Sequence, residues 1–242
     1  MKAFAILGMA SFMIAGLVIG ARLLWVGRRT RQIPELTIGA AFLIGPLGYS
    51  LIVIAPFEPL VRHFRAVAWG GDFAIQVSTA AIFLAVWRIY RPGARWARAA
   101  FGTGAGLCAL AFAASVATIE RPLEPEPLAR WLRIATGVVA YAWASGEGIR
   151  YAGLLRRRLR LGLADPELVN RFQCWVVSSS ATLLVFVLSA VNHTIVETGY
   201  HPTVLTFQSA LGLVSAFANW LTFFPPAFYR AWLLRGAAAQ EA

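Results

Sequence analysis

Ionisable and amide side chains are rare inside the apolar runs of this chain. Burying one in hydrocarbon is costly without a purpose or a partner, so each is a candidate for chemistry. Asp72 and Gln76 stand four residues apart, hence on one face of a helix. Asn192 and His193 end a later run, Gln208 follows early in the next, and Tyr49 sits beside Gly48. If these six share one membrane face, they line a polar pocket able to bind a small ligand. A plainer expectation is that Asp72 and His193 lie in the interfacial zone, either wet or paired with each other, with Tyr49 packing beside Pro46 and Gly48.

A second set lies near the opposite face. Glu147 stands between Gly146 and Gly148, with Arg150 three residues on, and Asn219 closes the last apolar run. Glycine on both sides permits close helix approach or local unwinding. Glu147 either pairs with Arg150 or another arginine, or serves as a relay carboxylate for protons or cations. Ser178, Thr182, Ser189 and His193, with Phe186 in line, form a polar stripe on one helix face. Packing is its ordinary job, and a translocation path is the sharper alternative.

Metal chemistry has thinner support. His63, His193 and His201 fall on the same predicted face as Glu58, Asp72 and Glu197, and such groups can hold zinc. No His-x-x-x-His pair is present, so no metal is expected, and a metal-dependent membrane hydrolase stands only as a third alternative. No nucleophile–base pair, phosphate loop or cofactor fingerprint occurs, and neither a cofactor nor an enzymatic activity is expected. Gly102-x-Gly104-x-Gly106 lies in an apolar run with no strand before it, which suits helix packing. Lys2 is the only lysine, and with none in the seventh run a Schiff-base retinal protein of the opsin kind is not expected. Cys108 and Cys174 read as small packing residues.

The elements that must position these groups are long apolar runs at 3–27, 36–56, 69–90, 99–118, 131–153, 173–195 and 203–224. Each matches the roughly 20 residues needed to cross a bilayer as a helix. The composition agrees: of 242 residues, 59% are hydrophobic and 14% charged, with mean hydropathy +0.65. The expected fold is all-α: one polytopic membrane domain over 1–242, a bundle of seven transmembrane helices. The tail, 226–242, reads as a short amphipathic interfacial helix with Trp232 toward lipid. The apolar stretch behind Lys2 is long for a cleaved signal peptide and is expected to stay as the first span.

Charge sets the orientation. Of 22 basic residues, sixteen lie in the loops after the first, third and fifth runs and in the tail, and six on the other side. The positive-inside rule then predicts the N-terminus out and the C-terminus in, in a bacterial inner membrane. The basic segments 28–35, 88–98 and 150–171 would meet the bilayer's anionic lipid headgroups or a cytoplasmic protein partner. A pI near 11.0 explained this way does not call for nucleic acid.

A faint echo runs through the chain. Arg28-Arg29-Thr30-Arg31 precedes Pro34-Glu35-Leu36, and Arg157-Arg158-Leu159-Arg160 precedes Pro166-Glu167-Leu168. A duplicated three-helix unit joined by the fourth helix would place these loops equivalently. The leading functional expectation is a non-enzymatic sensor, receptor-like or scaffold subunit, with an outer-facing polar pocket and a basic cytoplasmic face. A small parallel-repeat transporter, three helices plus one plus three, is the alternative.

Overall fold

The structure is a computed structural model describing residues 2–118, 127–196 and 201–241, with side chains except at 2, 3, 5, 6, 127 and 235–241. The described residues form eight α-helices: α1 (Lys2–Thr30), α2 (Ile33–Ile54), α3 (Phe64–Tyr90), α4 (Arg95–Thr118), α5 (Pro127–Leu159), α6 (Pro166–Ile195), α7 (Pro202–Phe223) and α8 (Ala227–Glu241). A 3-10 turn, Leu60–His63, leads into α3. Six helices, α1–α4, α6 and α7, contain stretches long and apolar enough to cross a bilayer. The chain is an all-helical integral membrane protein. α5 is long enough, but it is not among the six.

The helices begin where proline allows it, since the first turn has no use for the missing N–H. Pro34, Pro166 and Pro202 stand in the first turns of α2, α6 and α7. Asp165 caps α6 by accepting from the Glu167 amide at 2.9 Å, which satisfies one of the orphan N–H groups of that turn. Pro225 and Pro226 separate α7 from α8. Several helices outrun the apolar stretches that announced them. α5 extends through Arg156–Arg158, and α6 starts seven residues before its apolar run. Arginine is a good helix former, so the backbone continues into the basic ends.

Neighbouring helices close a circuit. α1 packs on α2, α2 on α3, α3 on α5, α5 on α6, α6 on α7, and α7 back on α1. α4 touches α3 and α5 and lies outside this ring. Glycine brings α2 and α3 together. A Cβ on Gly48 would stand 2.6 Å from the carbonyl oxygen of Gly71, and one on Gly71 would stand 2.7 Å from that of Gly48. One apolar core joins Ile82, Phe83 and Val86 of α3 to Cys108 of α4 and Ala140 and Ala144 of α5. Large apolar side chains such as Phe73, Leu110, Leu184 and Phe217 point outward, while Asp72, Ser115, Asn192 and Ser215 are fully enclosed. An apolar exterior around a partly polar interior is the arrangement lipid demands.

Candidate functional site

Successive helices run in alternate directions, so one end of the bundle gathers the arginine-rich loops. At the opposite end Asp72 is completely enclosed, and Nε of Arg133 on α5 stands 2.6 Å from its Oδ1. The N–H does not point along that line, and neither Asp72 oxygen has a hydrogen-bond donor among the described residues. The contact is therefore an ion pair held by proximity. One turn along, Gln76 Oε1 lies 3.4 Å from the Thr136 hydroxyl, which donates at 2.9 Å to the Arg133 carbonyl, and Gln76 Nε2 is buried without a described partner.

The other residues of this end have separate tasks. Arg130 donates to Nδ1 of His193 at 3.3 Å, since a guanidinium can only donate. Asn192 is fully enclosed, and its Oδ1 accepts from the His201 backbone N–H at 2.8 Å, which ties the end of α6 to the start of α7. Gln208 donates to Ser189 Oγ at 2.8 Å and to the Val185 carbonyl at 3.2 Å. Tyr49 lies half-buried on α2 within electrostatic reach of Tyr141 on α5. The six residues thus stand in several interhelical contacts: Asp72 and Gln76 against α5, His193 against Arg130, Asn192 on the α6–α7 connection, and Gln208 against α6. His63 and His201 are exposed, and among the described residues no three His, Cys, Asp or Glu side chains gather as a metal site. Glu197 lies outside the described residues.

Asn219 does not join Glu147 and Arg150. It lines a small hollow with Phe12, Phe42, Tyr141, Trp175 and Thr182, to which Ser178 and Ser179 also contribute. The hollow holds about one water-sized molecule. Two of its lining residues each carry a buried polar atom without a partner among the described residues: the acceptor Asn219 Oδ1 and the donor Trp175 Nε1. Beside it, the polar stripe of α6 is tied to α7. Ser215 Oγ lies 2.9 Å from Ser178 Oγ and 3.0 Å from Thr182 Oγ1. Packing thus accounts for much of the stripe, and His193 belongs to the far end.

At the arginine-rich end Glu147 is nearly enclosed and held from two sides. Nε of Arg91, at the end of α3, donates to Oε1 at 2.8 Å, and Nε of Arg150 donates to Oε2 at 2.8 Å. Gly148 lets α5 lie close to α6 here, since a Cβ there would meet Val176 at 3.1 Å. Nothing lies within 4 Å of a Cβ on Gly146. A second junction docks α8 on α6: Arg230 Nε donates to Glu167 at 3.0 Å, and the Tyr229 hydroxyl donates to Asn170 Oδ1 at 2.9 Å. Burial and the neighbouring Cys174 push the Tyr229 phenol above its ordinary pKa, so it stays a donor.

Sequence reasoning misses Arg91, Arg133 and Trp175 as site residues. The first two read there only as topology charges, and nothing local marks a tryptophan whose N–H lacks a described partner. No family model matches the chain, and neither a curated protein nor a solved structure matches it.

Proposed function

We propose that the chain is a seven-span protein of a bacterial inner membrane, N-terminus out and C-terminus in. We further propose that it works as a small transporter whose two three-helix halves, α1–α3 and α5–α7, are joined by α4. The observation that carries this reading is the central hollow. Both halves line it, Phe12 and Phe42 from one and Tyr141, Trp175 and Asn219 from the other, and two of these residues, Trp175 and Asn219, carry a buried donor and a buried acceptor that are unpaired among the described residues. Buried polar atoms normally find partners, so these two suit a small polar solute. An ion pair between α3 and α5 closes each end of the ring, Asp72–Arg133 at one and Glu147–Arg91 at the other. Opening either end would break the pair that closes it.

Other features favour the same architecture. α4 stands outside the ring, as a linker would. Pro34-Glu35 and Pro166-Glu167 both occupy first turns, of α2 and α6. Hydropathy discounts α5 because averages count charges without asking which way they face. Arg133 and Glu147 face partners on α3, which lowers their cost in lipid. In α8, Phe228 and Trp232 are exposed while Arg230 is tied to α6, which suits a helix lying at the headgroup level.

The test uses the chain with Cys108 and Cys174 replaced by alanine and a single cysteine at Asn219 or Thr182. A membrane-impermeant thiol reagent is applied to right-side-out and inside-out vesicles. A transporter exposes the hollow to both faces in turn, so labelling is expected from each. Labelling from one face alone would sink this reading. It would favour a sensor or scaffold subunit, the alternative suggested by the docked α8 and the basic face over 28–35, 88–98 and 150–171. Labelling from neither face refutes transport through this hollow.

A further inference from the structure

Glu147 has more than one guanidinium to hold, and what it leaves free is informative. Arg91 and Arg150 each donate only Nε to it, on opposite carboxylate oxygens and both at 2.8 Å. The four terminal nitrogens of the two forks make no described hydrogen bond to the carboxylate. The side chains remain 32% and 42% exposed, whereas that of Glu147 is 8% exposed. One buried carboxylate therefore holds two partly exposed arginines by their Nε atoms and leaves their terminal nitrogens for another partner. The two Nε atoms can stand no farther apart than two 2.8 Å bonds and the width of a carboxylate allow. The group of three keeps a net charge of +1. Trp96, 53% exposed, lies beside it with its ring 5.5 Å from the Arg91 guanidinium, and an exposed tryptophan at such a position suits the membrane–water boundary.

From this we infer that Arg91 and Arg150, aligned by Glu147, form a binding site for a phosphate group, either the phosphodiester of an anionic lipid headgroup or free inorganic phosphate. Paired guanidinium forks match phosphate oxygens two at a time, and a lysine in the same place supplies charge without that geometry. Glu147 is a positioning residue here, since it touches the arginines and not the ligand. The inference does not depend on transport, because the site lies at the bundle end, apart from the central hollow.

Purified protein in neutral detergent is titrated with short-chain phosphatidylglycerol, with phosphatidylcholine of the same chain length, and with inorganic phosphate. Thermal stabilisation is the readout. The glycerol lipid is expected to stabilise the wild type and the choline lipid not to. Stabilisation by inorganic phosphate instead assigns the site to the free anion. Arg91→Lys/Arg150→Lys keeps the charge and the pairing to Glu147, and is expected to bind about tenfold more weakly. Glu147→Gln decides the matter. Attraction by net charge alone predicts tighter binding once the negative charge is gone, whereas an oriented pair predicts weaker binding. Tighter binding by Glu147→Gln, undiminished affinity in the double lysine variant, or no discrimination between the two lipids together with no response to phosphate would each overturn the proposal. Should Glu147→Gln not fold, the lysine variant decides alone.

Discussion

Arg133→Gln should destabilise the bundle far more than Asp72→Asn, although each breaks the same pair. Asp72 is fully enclosed and has no hydrogen-bond donor among the described residues, so Arg133, 2.6 Å away, is its described counter-charge. Removing the arginine strands a carboxylate at the end of the bundle, at a cost of about 3–5 kcal/mol. The reverse change strands a guanidinium whose side chain is 20% exposed and can still meet an amide oxygen. Water screening and the retained contact reduce that cost to about 1–2 kcal/mol. The double variant should recover some of the loss, leaving a coupling of about 1–3 kcal/mol. Unfolding free energies of the four proteins, measured by steric trapping in micelles, close the cycle. Equal single costs, or double-variant losses that simply add, would refute the claim that burial asymmetry governs this pair.

Two further outcomes follow from packing. Gly48→Ala should destabilise by about 1–3 kcal/mol, because its Cβ would press on the Gly71 carbonyl, whereas Gly102→Ala meets nothing within 4 Å and should be neutral or stabilising by up to about 1 kcal/mol; melting temperatures of the two distinguish them. Asn219→Leu removes a buried acceptor with no described partner, so it should raise stability by about 1–2 kcal/mol while abolishing the solute binding proposed for the hollow. A lowered melting temperature would show that Asn219 already has a compensating partner.

Much of the scaffold is legible in the sequence because hydropathy and helix length are local properties. The runs ending at Tyr90 and Ile195 agree with helix ends to within a residue or so. Arg150 is a foreseeable partner of Glu147, three residues away on the same helix. Arg91 is not, since it depends on how α3 is set against α5, 56 residues apart in the chain. The sequence leaves Asp72 and His193 either wet or paired with each other. The structure gives each an arginine from α5 instead, Arg133 and Arg130, because one helix turn separates those two and spreads them toward α3 and α6. Asn219 reads as a member of the Glu147 site because both lie toward the same end. Helix rotation, which hydropathy does not report, turns it into the central hollow.

The two ion pairs between α3 and α5 also bear on how the chain is made. α3 leaves the ribosome with Asp72 and no arginine to meet it, and α5 follows only after all of α4 has been synthesised. α5 falls short of the apolarity of the six clear spans, and two of its charges are answered on α3. If α5 is the seventh span proposed above, its membrane integration should depend on an already inserted α3. In a translation series truncated after α5, Asp72→Ala together with Arg91→Ala should leave that segment outside the lipid. Folding partners chosen across a helix-long gap thus become an order of events in biogenesis, with α4 as the interval during which the first half must wait.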